Sequence, residues 1–199
     1  MNLMKKIVTV LAVLTLAFGV AGCGNSEEAG EGTQEEIVTE ETNDGKTFLA
    51  EDLVTIEEMS EITGVPIVDI KLWDNDFMGL LGATYLGEED EYDGFKLNCY
   101  QQAYCGAAYE DVEHPEISGS VKQEYEDRKL GAEESGDLEV VESLGQEAFY
   151  YTVLETLYVL YNDDIYLEVN DDYSDDPATQ KEMAIKIAEK AIKSLDEKL

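Results

Sequence analysis

Residues 157–169 read Leu-Tyr-Val-Leu-Tyr-Asn-Asp-Asp-Ile-Tyr-Leu-Glu-Val. The runs Leu157–Tyr161 and Ile165–Val169 are rich in β-branched and aromatic residues, and the polar triplet 162–164 between them is typical of a hairpin turn. The second run alternates aliphatic side chains with polar or aromatic ones: Ile165, Leu167 and Val169 against Tyr166 and Glu168. The stretch therefore predicts a β-hairpin with one apolar face inside an antiparallel sheet.

Further strand patterns lie on both sides of this hairpin. They are Ile67–Leu72, Leu80–Leu86, Phe95–Tyr104, Leu138–Val141 and Glu147–Leu154, with Trp73–Gly79 as a loop between the first two. In the third, Phe95, Leu97, Cys99 and Ala103 fall on one face of a continuous strand.

Three helices are predicted around the strands. The first begins at a capping box of Thr55 and Glu58 and ends at Gly64. A second covers Ser120–Leu130, closed by Gly131, and the last begins at Asp176-Pro177. The apolar stripe of the last helix is read as Ile185, Ala188, Ile192, Leu195 and Leu199. Because such a stripe needs a sheet to cover, the predicted fold class is α+β, an antiparallel sheet with the N-terminal and C-terminal helices packed on one face.

The first 23 residues have the pattern of an export signal. Lys5 and Lys6 precede an apolar run from Ile7 to Val20, and Val20-Ala21-Gly22-Cys23 follows. The run is too short for a stable membrane-spanning helix, which needs about 20 apolar residues. The arrangement resembles the signal peptide and lipobox of bacterial lipoproteins, although Val20 stands where that family usually has leucine.

That resemblance implies cleavage between Gly22 and Cys23, and a diacylglycerol and an N-acyl lipid on Cys23. Two acyl chains anchor a protein stably, whereas one gives only marginal binding. The expected location is the extracytoplasmic face of the cell membrane. An ordinary signal peptide that releases a secreted protein, and an uncleaved membrane helix, are the alternatives.

The predicted organisation has three parts. Residues 1–22 are the signal peptide, and 23–46 are the lipidated cysteine followed by a disordered acidic linker. The linker has eight acidic residues, one lysine and almost no apolar side chains, so it cannot offset its ordering entropy. Residues 47–199 are long enough for a single α+β domain.

The chain has 46 acidic residues against 13 lysines and arginines, a formal charge of −33. This charge argues against nucleic acid as a partner, because phosphates would be repelled. Cations and basic peptides are the favoured partners electrostatically, and the other interpretation is that surface acid only provides solubility.

The domain also resembles small bacterial lipoproteins with a PsbP/Mog1-like α/β fold. The matching residues are the helix ending Ile62-Thr63-Gly64-Val65-Pro66, the turn Leu144-Gly145-Gln146-Glu147-Ala148, the tyrosine-rich hairpin and the closing helix. The resemblance implies a binding or envelope-accessory role rather than a reaction.

Candidate sites in the domain each have a structural alternative. Asp171, Asp172 and Asp175 could bind calcium weakly, although part of this run must cap the last helix. Cys99 and Cys105 can form a disulfide only if Gln101–Tyr104 turns back, because a continuous strand would separate them by about 20 Å. The single histidine, His114, lies in no catalytic motif and is interpreted as a surface residue.

Twelve tyrosines are the last candidate, with Tyr151, Tyr158 and Tyr166 on adjoining strands. Tyrosine suits glycan or peptide contacts, and it equally suits packing within a sheet. The expected function is therefore a lipid-anchored, non-enzymatic domain that binds a surface protein, a peptide or a glycan. It is expected to be a monomer and to carry no cofactor besides the lipid. An envelope hydrolase that uses carboxylates and a weak calcium-binding module are the alternatives.

Overall fold

The structure is a computed structural model that describes residues 46–88, 94–105 and 120–199. Seven strands and four α-helices lie in these residues. The strands are β1 (Ile67–Asn75), β2 (Leu80–Gly87), β3 (Gly94–Gln101), β4 (Leu138–Val140), β5 (Glu147–Tyr151), β6 (Thr156–Asn162) and β7 (Ile165–Asp171). The helices are α1 (Ala50–Leu53), α2 (Ile56–Thr63), α3 (Val121–Ser135) and α4 (Pro177–Lys198), and a 3-10 turn covers Asp76–Met78.

The described strands form one antiparallel sheet in the order β1-β2-β3-β7-β6-β5-β4. The predicted hairpin is β6 and β7, and it lies inside the sheet because β3 pairs with the other side of β7. This confirms the predicted fold class, including the N-terminal and C-terminal helices on one face.

We call that side the α4 face; α1, α2 and α4 cover it. Its core includes Leu97, Cys99, Leu167 and Val169, as the alternation predicts. The buried stripe of α4 differs from the predicted one. It is Ala184, Ile187, Ala188, Ala191, Ser194 and Leu195, whereas Leu199 is exposed. Three alanines in this stripe let the helix lie close to the strands.

The opposite side, which we call the α3 face, is covered in part by α3. Val121, Tyr125 and Ala132 of this helix pack against strand residues of a second apolar cluster. Sequence reasoning found this helix but expected helices on one face only. It also ended the helix too early, since α3 runs through Gly131 to Ser135 and is capped by Gly136, which has φ of +79°.

Capping residues account for the helix ends. The capping box of Thr55 and Glu58 is present, and Gly64 closes α2 with φ of +72°. Asp176 accepts the backbone N–H of Thr179 at 2.9 Å, and Pro177 occupies the first turn of α4. These predictions are confirmed because each depends only on neighbouring residues.

Several strand boundaries differ from the sequence reading. β5 ends at Tyr151 rather than at Leu154, because the chain turns at residues 152–155 before β6 begins. β1 continues to Asn75, so Trp73 lies in a strand rather than in a loop. Pairing with β2, in which Trp73 lies opposite Gly82, overrides the polar composition there. β3 ends at Gln101, because the chain then turns and the N–H of Cys105 donates to the carbonyl of Gln101.

Candidate functional site

The α3 face contains a packed aromatic cluster. The rings of Tyr100 and Tyr166 stack with centroids 4.2 Å apart, and those of Phe149 and Tyr158 stack at 4.9 Å. Tyr125 of α3 lies over this cluster, 5.5 Å from Phe149 and 5.9 Å from Tyr166. All five rings are buried.

This burial corrects the interpretation of Tyr158 and Tyr166 as a ligand surface. Both rings are covered by α3 and belong to the core, which is the packing alternative. Tyr151 is half-buried and packs against the same cluster. The tyrosine pattern along the strands could not reveal this, because the covering helix comes from residues 121–135.

A polar cluster adjoins the aromatic one in the middle of the α3 face. Its centre is Glu168 of β7, which is only 8% exposed. The side-chain amide of Asn98 donates to Glu168 Oε2 at 3.3 Å, and the hydroxyl of Tyr100 donates to the same atom at 3.0 Å. Arg128 of α3 approaches with its Nε 3.9 Å from Oε1 and also pairs with Glu124 at 2.9 Å.

Burial raises the pKa of Glu168 above its ordinary value, because desolvation penalises the carboxylate. The hydrogen bonds from Tyr100 and Asn98 and the charge of Arg128 oppose that effect. Asn98 Oδ1, Arg128 Nε and the hydroxyl of Tyr166 have no hydrogen-bond partner among the described residues. The cluster is therefore polar, buried and incompletely paired.

Trp73, the only tryptophan of the chain, lies at the end of this cluster nearest the sheet edge. Trp73, Gly82, Asn98 and Glu168 are successive partners in one row across β1, β2, β3 and β7. A Cβ added at Gly82 would lie 2.8 Å from Trp73 Cε2 and 2.6 Å from Asn98 Oδ1. The indole thus lies directly on β2 where that strand has no side chain, and 42% of Trp73 is exposed.

Sequence reasoning did not select Trp73 as a site residue because it placed Trp73 in a loop. The available signal was that Trp73, an aromatic residue that favours strands, directly follows the predicted strand Ile67–Leu72.

A small pocket lies beside Trp73 at the β1 edge of the sheet. Its volume is about 210 Å³, and it is lined by Leu49, Ala50, Leu72, Trp73, Asp74, Leu81 and Gly82. Leu72 is 50% exposed, and Leu49 is also exposed. This combination of exposed apolar side chains and a pocket makes the β1 edge our candidate binding site.

The acidic run after β7 has structural tasks in this fold. Asp171 is buried and accepts the backbone N–H groups of Tyr173 and Ser174 at 2.9 and 3.1 Å. Asp172 pairs with Lys96, and Asp175 is exposed. The described residues contain no group of three histidine, cysteine or acidic side chains arranged to hold a metal ion. Calcium binding by Asp171, Asp172 and Asp175 stays a prediction.

Cys99 and Cys105 are not joined by a disulfide in the structure. The chain does turn after Gln101, but the turn places Cys105 next to Gly79 and Phe77. The thiol of Cys105 donates a hydrogen bond to the carbonyl of Phe77, with Sγ 3.5 Å from the oxygen. Cys99 lies in the core of the α4 face, where burial raises the pKa of its thiol.

A hydrolase with two carboxylates needs a pair whose pKa values are shifted apart. Asp171 has a raised pKa because of burial, and Asp176 has a lowered pKa because of its bonds to Thr179. Both carboxylates are occupied with backbone N–H groups, as a turn and a helix cap require. Glu168, the other carboxyl group with a raised pKa among the described residues, contacts an amide, a phenol and a guanidinium. The hydrolase alternative stays a prediction.

Gly22, Cys23, the linker before Lys46 and His114 lie outside the described residues. Within the part that is described, no helix has the length and apolar character needed to cross a membrane.

Searches of protein-family models, curated proteins and solved structures returned no match to this chain. The resemblances to lipoproteins and to PsbP/Mog1-like domains remain predictions.

Proposed function

We propose that this chain is a bacterial lipoprotein whose domain is a non-enzymatic binding module, held by lipid on Cys23 at the extracytoplasmic face of the membrane. The single observation that carries the binding role is the exposed apolar edge at Leu72 and Trp73. Both sheet faces have buried clusters, yet these two large side chains stay half in solvent beside a pocket. Leu49, Leu72 and Trp73 are all exposed and line the same pocket, and a contiguous exposed apolar patch marks an interaction site.

The first described residues support a tethered domain. The N–H of Phe48 donates to the buried side chain of Gln101 at 2.7 Å, and the amide of Gln101 donates back to the carbonyl of Phe48 at 2.8 Å. Lys46 donates to the carbonyl of Lys198 at 3.2 Å. These contacts hold the first described residues at the end of the sheet where β3 and α4 both end, and we propose that the tether joins the domain there.

The anchor is tested by the intact mass of the native protein. We expect a mass that begins at Cys23 and includes fatty acyl chains, and we expect Cys23→Ser to release the protein from the membrane fraction. A native protein that keeps residues 1–22, or that carries no acyl mass, would refute the anchor.

The binding role is tested by capturing surface components of the host with the mature protein. We expect Leu72→Lys to abolish capture, whereas Val140→Lys is the matched control. Val140 lies on β4 at the opposite edge of the sheet and is 70% exposed, so the control makes the same charge change on an apolar edge residue. Equal capture by all three proteins would refute a site at β1.

A further inference from the structure

We propose that β1 binds an extended basic peptide as an additional strand, with alternate side chains of the peptide in the pocket at Leu72 and on the ring of Trp73. This inference rests on the proposed binding role and names the class of partner. Strand addition uses backbone hydrogen bonds for affinity and alternating pockets for specificity.

The backbone of β1 has the required geometry. Among the described strands it pairs only with β2, so one row of its N–H and C=O groups faces outward. β1 has nine residues, and its register with β2 is continuous from Asp69 to Asn75. The edge strand on the other side, β4, has only three residues and offers a much shorter row.

The side chains of β1 offer a contact on each face. Leu72 lies opposite Ala83, on the α4 face, and lines the pocket together with Leu49 and Leu81. Trp73 lies opposite Gly82, on the α3 face. A strand added about 4.8 Å from β1 would direct successive side chains to these two places, because side chains alternate along a strand.

Charge selects a basic occupant. The chain has a formal charge of −33, and β1 itself carries Asp69 and Asp74 against one basic residue, Lys71, with Asp76 directly after the strand. A peptide with lysines between apolar residues would be attracted by the net negative charge and by Asp74 and Asp76 near Trp73, whereas an acidic peptide would be repelled. Pairing of β1 with β1 of a second copy is opposed by the net negative charge of the two chains.

The mature lipoprotein in nonionic detergent is titrated with a blocked peptide of four Lys-Val repeats. Since Trp73 is the only tryptophan, its fluorescence reports binding at this site without a label. We expect a saturable blue shift of the emission. Leu72→Lys should weaken binding by about tenfold or more through the lost apolar contact and added repulsion, and Val140→Lys should leave it unchanged.

Two control peptides separate strand addition from simple charge attraction. A Glu-Val peptide of equal length should not bind, and a Lys-Val peptide N-methylated at alternate residues should bind at least tenfold more weakly, because N-methylation removes donors from the ladder.

Equal binding of the N-methylated peptide, equal weakening by Val140→Lys, or self-association through β1 in place of peptide binding would overturn the inference. If Leu72→Lys abolishes capture of a host component but the Lys-Val peptide does not bind, strand addition by a basic peptide is refuted and the proposed binding function still stands.

Discussion

Replacement of Gly82 by alanine tests how Trp73 is positioned. The added Cβ would lie 2.8 Å from Trp73 Cε2 and 3.1 Å from Cζ2, whereas carbon atoms in favourable contact are about 3.5–4.0 Å apart. The indole must therefore move outward by somewhat less than about 1 Å. Asn98 Oδ1 would be 2.6 Å away, and this side chain has little freedom because its amide donates to Glu168.

Two opposing effects determine the change in the free energy of unfolding. Alanine in place of glycine inside a strand favours the folded state by about 0.5–1 kcal/mol. Overpacking lowers stability by about 1–3 kcal/mol. Because Trp73 is partly exposed and can move towards solvent, we expect a net loss of about 1 kcal/mol and a red shift of its emission.

Urea unfolding of the mature protein, followed by circular dichroism and by Trp73 emission, measures both effects. Gly131→Ala is the matched control. Gly131 lies inside α3, and a Cβ there meets no described atom within 4 Å outside its own turn of helix. This control should gain about 0.5–1 kcal/mol with unchanged emission. If Gly82→Ala behaves like the control, the indole does not lie on Gly82 and our description of the site is wrong.

Three further predictions concern the buried polar groups and a helix cap. Glu168→Gln should abolish one component of the pH dependence of stability. Burial raises the pKa of Glu168 in the folded state. The stability of the wild type should therefore fall relative to that of the variant as the pH rises from about 4.3, the ordinary pKa of glutamate, through the raised pKa. Parallel pH profiles of urea unfolding for the two proteins would contradict this. Tyr85→Phe removes the hydroxyl that donates to the carbonyls of Ala50 and Val54, and should lower the free energy of unfolding by about 1–3 kcal/mol, measured by thermal or urea unfolding. Thr55→Ala removes the acceptor for the N–H of Glu58 and should cost about 1 kcal/mol, whereas Thr55→Ser should restore most of it.

Much of the fold could be predicted from short stretches of sequence. The helix starts at Thr55 and Asp176 depend on side chains that accept backbone N–H groups three residues later, and the helix end at Gly64 depends on the positive φ that glycine adopts readily. The hairpin around residues 162–164 likewise follows from local alternation and a turn. The antiparallel α+β class then follows, because one-sided strands need a helical layer to cover them.

The candidate site was much less predictable. The exposure of Trp73 depends on Gly82 in the next strand, and the burial of Tyr158 and Tyr166 depends on Tyr125 of α3. The sequence of the tyrosine-rich strands is equally compatible with a buried core and with a binding surface. Alternation shows which side chains share a face of the sheet, but it does not show what covers that face.

The sequence by itself determined the helix caps, the strand alternation, the strong negative charge and the predicted signal at Cys23. These are properties of neighbouring residues or of composition, and they need no knowledge of which strands meet. Only the tertiary structure decided that α3 covers the tyrosines and that β1 is an edge with Leu72 and Trp73 exposed. The physical reason is that strand order and helix placement bring together residues far apart in the chain, so burial at one residue depends on side chains that no local pattern contains.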